Sequence, residues 1–373
     1  MQNCPYFKKC GACTYQLDDY SKSKTLKLNK MKKLFDKQKE FKLVPSPSPY
    51  NYRHKVIFTF YKDKNNKIKA GLYKEDSHKV IAIKDCMIQD EVANNILKDI
   101  LILANKYHLK VYREDLHRGL LRHVQIRTSH FDSKALVTFV LGENIFPGSK
   151  DFLNELKSMH KEIVGIIFNY NSRSTSVVLG EKEKIMYGNG FIKDKLGPFT
   201  FEITSKSFYQ VNPELAYLLY QDAIKFANIN KNDIVLDAYC GTGTISLFAS
   251  LKAKKVVGVE INKQAIISAN RNKRLNKIDN VEFVCSDVED YMLARKFDVV
   301  ICDPPRSGMS NSFIKTLLKL RPRTIVYISC NPLTLKRDLN AFRNNYYISD
   351  VRFYDQFAFT DHLESICVLT KKK

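Results

Sequence analysis

The chain has 373 residues, 44% of them hydrophobic and 12% aromatic, with 61 Lys plus Arg against 39 Asp plus Glu, a formal charge of +22 at pH 7. Those values exclude a disordered chain and a single small domain, and the basic balance favours a polyanionic partner, because each neutralised phosphate releases counterions. No apolar run is long enough to span a bilayer and no signal peptide opens the chain, so nine cysteines argue for reduced thiols, a metal or catalysis in a cytoplasmic protein rather than for disulfides.

Cys4, Cys10 and Cys13 come first, a C-x5-C-x2-C set in need of a fourth ligand, and Cys86 is the only other cysteine of the first half. On spacing, four thiolates suit zinc and a 4Fe–4S cluster equally. Ser23 to Phe41 is lysine-laden, with Leu28, Met31, Leu34 and Phe35 at helical spacing. This predicts an amphipathic helix whose basic outer face is either solvated or in contact with RNA. Pro45-Ser-Pro-Ser-Pro49 follows as a stiff link.

From Tyr50 to Gly190 the chain is rich in β-branched and aromatic runs: Val56–Tyr61, Lys79–Ile83, Val124–Thr128, Ala135–Leu141, Ile163–Tyr170 and Thr175–Leu179. Helical stretches fall at Asp90–Asn105 and Lys150–Met159, which predicts an α+β unit with an antiparallel sheet. Arg53, Lys55, Arg122 and Arg127 lie on its strands, either facing RNA or simply at the surface. From Leu196 a helix follows Asn212-Pro213. Strands at Ile234–Asp237, Lys255–Glu260, Val281–Cys285, Asp298–Cys302 and Thr324–Ser329 then alternate with helices. That alternation predicts a doubly wound, mostly parallel α/β sheet, and Tyr346–Thr370 holds two more candidate strands. The expected division is 1–45, the Cys segment and basic helix; 46–195, the α+β domain that contributes Cys86; and 196–373, the α/β domain.

The chemistry gathers at the carboxyl ends of the α/β strands, where open sheets bind ligands. Asp237-Ala-Tyr-Cys-Gly241-Thr-Gly243 is a strand end and a glycine turn that lets the backbone approach a ligand. Its spacing is neither the dinucleotide fingerprint nor a P-loop. Glu260 ends the next strand, where an acid binds ribose hydroxyls, and Asp287 stands after the third. A D-x-x-x-G-x-G turn with such an acid resembles the S-adenosylmethionine (SAM) site of class I methyltransferases.

Asp303-Pro-Pro-Arg306 follows the fourth strand and Cys330-Asn-Pro332 the fifth. Arg306 argues against adenine-N6 enzymes, which usually carry an aromatic residue there. A base nitrogen has a lone pair and needs no covalent catalyst, but carbon 5 of uracil must be made nucleophilic. A thiolate added at carbon 6 does this, and a base must then remove the carbon-5 proton. A free thiol, pKa ~8.5, is only slightly ionised near neutrality, so Arg306 or the turn after Cys330 is expected to raise that fraction. The proton acceptor is sought in His362-Leu-Glu364, on a late strand beside the one bearing Cys330.

Taken together, the cysteine set, Ser207-Phe-Tyr-Gln210-Val-Asn-Pro213, DAYCGTGT, DPPRSG, SCNP and DHLES resemble, in order and over essentially the whole chain, the RNA uracil-C5 methyltransferases. The resemblance implies a class I SAM-dependent methyltransferase domain preceded by an α+β RNA-binding domain with an amino-terminal Cys cluster. It makes Cys330 the nucleophile and Glu364 the proton acceptor, with Gln210, Tyr239, Glu260 and Asp303 as SAM contacts. The target uridine is expected to flip out of RNA, with Phe208 and Tyr209 as candidates to stack on it. Cys4, Cys10, Cys13 and Cys86 resemble the 4Fe–4S ligands of the ribosomal-RNA branch, with zinc as the alternative. Cys240, Cys285, Cys302 and Cys367 are expected to be inert core residues. Many ribosomal members carry a TRAM domain, and its absence before Cys4 resembles the shorter members that modify a hairpin-loop uridine of 23S rRNA. The T-loop uridine of tRNA and another 23S uridine are the alternatives. Cytosine-C5 methylation is disfavoured, because Pro305 and Arg306 stand where a second cysteine would follow a proline. A catalytically idle RNA-binding protein is the rival from another class. A monomer with no membrane partner is expected.

Overall fold

The computed structural model describes residues 4–16, 18–75, 77–173, 177–293 and 295–373. Two compact units form, one of Met1–Asp18, Ser48–Lys195 and Glu202–Lys206, the other of Asp19–Pro47, Leu196–Phe201 and Ser207–Lys373.

The first unit holds a seven-stranded sheet in the order Val80–Ala82, Ile68–Tyr73, Lys55–Lys62, Leu121–Thr128, Ala135–Leu141, Ile163–Tyr170, Lys182–Gly188. Its pairs are antiparallel except Ala135–Leu141 with Ile163–Tyr170, a parallel pair. A parallel pair needs a crossover, and helix Ser149–Met159 supplies it. That helix and Glu91–Lys106 bury Phe152, Leu156, Ile96 and Ile100 with Phe58, Val124 and Phe139. Of the expected strand Thr175–Leu179, Thr175 and Ser176 lie outside the described residues, and Val177–Leu179 is not a strand. Asn171 Nδ2 donates to the carbonyls of Val177 (2.8 Å) and Val178 (3.0 Å), so a side-chain amide takes acceptors that a ladder would use. Arg122 and Arg127 are not surface cations. Arg122 is buried against Glu114 and the carbonyls of Asn171 and Arg173, and Arg127 donates to the Ser205 carbonyl.

In the second unit β1 (Ile234–Ala238), β2 (Lys255–Glu260), β3 (Val281–Cys285), β4 (Val299–Cys302), β5 (Thr324–Ser329), β6 (Arg352–Tyr354) and β7 (Glu364–Lys371) stand in the order β3-β2-β1-β4-β5-β7-β6. β1 to β5 are parallel and β7 is antiparallel to both its neighbours. This is the doubly wound, mostly parallel sheet that the alternation of strands and helices predicts. Its order reverses between β1 and β4, which puts the ligand crevice outside their carboxyl ends. Lys42–Val44 adds a parallel edge beside β6, and Tyr346–Ile348 pairs with β7. Helix Pro213–Ala227 starts where Asn212 caps it, its side chain accepting from Leu215 N. The basic helix spans Tyr20–Leu34, capped by Asp19, and is part of this unit. Among the described residues no helix is long and apolar enough to cross a membrane.

Candidate active site

The turn after β1 is built on left-handed backbone: φ is +64° at Tyr239, +52° at Gly241 and +84° at Gly243. A Cβ on Gly241 would meet nothing within 4 Å, whereas one on Gly243 would lie 2.5 Å from the Phe283 ring. The first glycine therefore keeps room for a ligand and the second lets the turn pack on β3. Glu260 braces the turn: its Oε2 accepts from Gly241 N (3.3 Å) and its Oε1 from Asn262 N (2.8 Å). Asp237 accepts from Ser246 Oγ (2.5 Å) through one oxygen, while its buried Oδ1 has no hydrogen-bond partner. Burial pushes this carboxyl up to about 7. Gln210 is positioned by Gln356, whose Nε2 donates to Gln210 Oε1 (3.2 Å) and to the Asn212 carbonyl (3.1 Å). The Tyr239 ring stands edge-on to Phe313, 5.5 Å between centroids. Open space, an acid at the β2 end and an orphaned buried acceptor fit a nucleoside ligand such as SAM. Asp287, by contrast, caps helix Val288–Met292, accepting from Glu289 N (2.8 Å).

The candidate reacting groups converge from three adjacent strands. β4 ends into Asp303 and Arg306, β5 into Cys330, and Ser329 pairs with Ser365 across the β5–β7 ladder. That register sets Cys330 beside Glu364. Asn331 caps helix Pro332–Phe342 by accepting from Leu333 N, and its Nδ2 donates to the Arg306 carbonyl (3.0 Å), which ties the β4 turn to the β5 turn. Arg306 Nη2 lies 3.2 Å from His362 Nδ1. Burial pushes Asp303 up to about 7. Glu364, 4% exposed, is raised well above the carboxylate range, first by burial and then by Asp303, with Arg306 opposing. Arg306 and the turn act in the expected direction, each lowering the Cys330 thiol. Burial, Glu364 and Asp303 outweigh the guanidinium, and the Cys330 thiol is pushed up to about 11. Burial therefore favours the neutral thiol at Cys330 and the neutral carboxyl at Glu364.

Phe208 is 67% exposed, its carbonyl held by Thr242 Oγ1 (3.2 Å), while the Tyr209 ring packs against Phe201. Of the two candidate stackers, Phe208 alone presents an open face. In the first unit, the Cys13 thiol is pushed up to about 12 by burial and by Cys86, Cys10 and Cys4. Cys86 is raised to about 11, and Cys10 upward, in the same way. The four sulfurs thus share one neighbourhood and are soft donors, yet among the described residues no group of three or more His, Cys, Asp or Glu is arranged to hold a metal ion. Cys240, Cys302 and Cys367 are buried as expected, but Cys285, at the end of β3, is exposed. Gln356 and Ser246 escaped sequence reasoning, since neither lies in a chemical motif and only folding brings them to Gln210 and Asp237.

The family model described as tRNA (uracil-5-)-methyltransferase matches residues 15–372. An RNA methyltransferase of Oceanobacillus iheyensis, itself described as uncharacterized, is 38% identical over 97% of this chain and 82% of its own length. One from Staphylococcus aureus is 34% identical over 99% of this chain and 84% of its own. Among solved structures, the tRNA (uracil-54, C5)-methyltransferase of Pyrococcus abyssi, in complex with S-adenosyl-L-homocysteine, is similar with a TM-score of 0.81 and 27% identity, covering 97% of this chain and 86% of that one.

Proposed function

The chain belongs to the tRNA (uracil-5-)-methyltransferase family of SAM-dependent RNA methyltransferases, and on that premise we propose that it methylates carbon 5 of a uridine through a covalent adduct on Cys330. The observation that carries this reading is the placement of a thiol, a buried carboxyl and a guanidinium at the ends of adjacent strands.

Gln210, Tyr239, Glu260 and Asp303 are the residues that would hold SAM. When bound, SAM supplies an electrophilic methyl on a sulfonium, whose positive charge favours the ionised forms of acidic groups near it. Cys330, its proton released to solvent, adds its sulfur to carbon 6 of the uracil, and the electron pair moves onto the ring as an enolate. Arg306 favours the anionic forms around it. Carbon 5 would take the methyl group as its bond to the cofactor's sulfur breaks, leaving a neutral thioether. Glu364, as carboxylate, removes the carbon-5 proton, the ring double bond re-forms and the sulfur leaves as thiolate. Phe208 offers its open face to the flipped base.

For the RNA we propose a hairpin-loop uridine of 23S rRNA. The resemblance of the cysteine set to the ribosomal branch supports this, as does the low cost of unpairing a loop base. Cys4, Cys10, Cys13 and Cys86 are proposed as ligands of a 4Fe–4S cluster, on which no step above depends. Iron and sulfide analysis of anaerobically isolated protein separates that cluster from zinc. The first unit also carries a groove of about 780 Å³ lined by Lys62, Lys110, Arg113 and Arg118 with Tyr61 and Tyr112, a surface suited to phosphates.

The test is incubation of 23S and tRNA transcripts with methyl-labelled SAM, followed by mapping of the labelled base. Label at carbon 5 of a 23S uridine is expected, with loss of about 10³-fold or more in Cys330→Ala and a trapped protein–RNA adduct in Glu364→Gln. Label in tRNA alone overturns the substrate reading, and full activity of Cys330→Ala overturns the mechanism.

A further inference from the structure

The connection from β6 to β7 begins at Asp355 and ends at Leu363, so both its ends flank Glu364, whose register partner across the ladder is Tyr354 of β6. Lys27, on helix Tyr20–Leu34, reaches both ends. It is 1% exposed, not part of a solvated basic face. Its Nζ donates to the Asp355 carboxylate, to the Phe357 carbonyl (2.9 Å) and to the His362 carbonyl (3.1 Å). The same helix packs Tyr20 on Phe359, a residue at φ +63°, and pairs Lys30 with Asp361 at the surface. From the connection two contacts run into the site: Gln356 to Gln210, and His362 to Arg306. A buried ammonium is costly unless fully hydrogen-bonded, and an apolar side chain would fill the same space at less cost. What an apolar residue would not supply is a fixed geometry for both ends of this loop.

We propose that Lys27 is a positioning residue for the proton-removal step, stapling the two ends of the β6–β7 connection so that Glu364 stands against Cys330 and His362 stands against Arg306. The proposal rests on the reading of Cys330 as nucleophile and Glu364 as proton acceptor.

The test is the double variant Lys27→Met with Asp355→Asn, which removes both charges together, assayed with the 23S transcript and methyl-labelled SAM. It is expected to bind S-adenosylhomocysteine and RNA within about threefold of the unaltered enzyme. Its kcat should fall at least tenfold with KM falling alongside, because a covalent protein–RNA adduct accumulates when the carbon-5 proton leaves slowly. Loss of bulk packing alone would lower the melting temperature without building up adduct. If the double variant does not fold, Asp355→Asn alone, which keeps both carbonyl bonds of Lys27, should show a smaller fall in kcat with the same adduct. A variant with wild-type kcat, or one that slows without adduct, overturns the clamp. Unaltered enzyme that places no label at carbon 5 overturns the underlying reading instead.

Discussion

Asp237 and Asp303 hold their protons up to about pH 7 in the folded chain because burial disfavours the carboxylate, whereas in an unfolded chain the same groups ionise near 3.9. Between those values the native state binds more protons, so ∂ΔG/∂pH of unfolding is negative. Stability is fully present below about pH 4 and falls as pH rises toward 7. Asp303→Asn, which does not ionise, is spared its share of that loss. Ligand-free wild type and Asp303→Asn should melt together at about pH 4, with the variant higher by on the order of a few °C at about pH 8. Coincident melts at both pH values would show that Asp303 is not desolvated. The same physics holds the Cys330 thiol up, and in the proposed mechanism a cationic ligand in the cofactor site would favour its thiolate.

At the scale of elements, the turn after β1 tests whether the cofactor reading is placed correctly. Gly243→Ala would drive a methyl to 2.5 Å from the Phe283 ring at φ +84°, and it should both destabilise the unit and abolish SAM binding. Gly241→Ala meets no neighbouring atom, so it carries only the left-handed strain of about 1–2 kcal/mol. It should fold yet bind S-adenosylhomocysteine at least tenfold more weakly by calorimetry, because its methyl occupies the ligand's space. Wild-type affinity in Gly241→Ala would move the cofactor off this turn. The basic helix shows a related limit of local pattern. Its hydrophobic spacing is visible in the sequence, but one of its lysines points inward, and periodicity has no means of distinguishing a buried paired lysine from a solvated one.

For the whole molecule, +22 is a statement about partners rather than fold. Lys62, Lys110 and Arg118 line one groove of the first unit and are exposed. If they neutralise phosphates, their triple replacement by Ala should reduce the slope of log K for RNA against log salt by about 2, at roughly 0.7–0.9 per contact. Filter binding between about 50 and 200 mM salt measures it, and an unchanged slope would place the RNA on other cations. Methylation by the triple variant at saturating RNA should stay near wild type, because none of the three lies in the unit that holds Cys330.

Strand alternation was enough to specify the parallel sheet, and the glycine turn, DPPR and SCNP were enough to mark the strand ends at which the proposed site gathers. These are local patterns, and the doubly wound topology always delivers strand ends to one edge. What only folding decided was long-range: the β5–β7 register that sets Glu364 beside Cys330, the burial that outweighs Arg306, Gln356 behind Gln210, and Lys27 joined to Asp355 across 328 positions of chain. Proton affinities and side-chain pairings depend on what surrounds a group in space, and sequence neighbours do not carry that information.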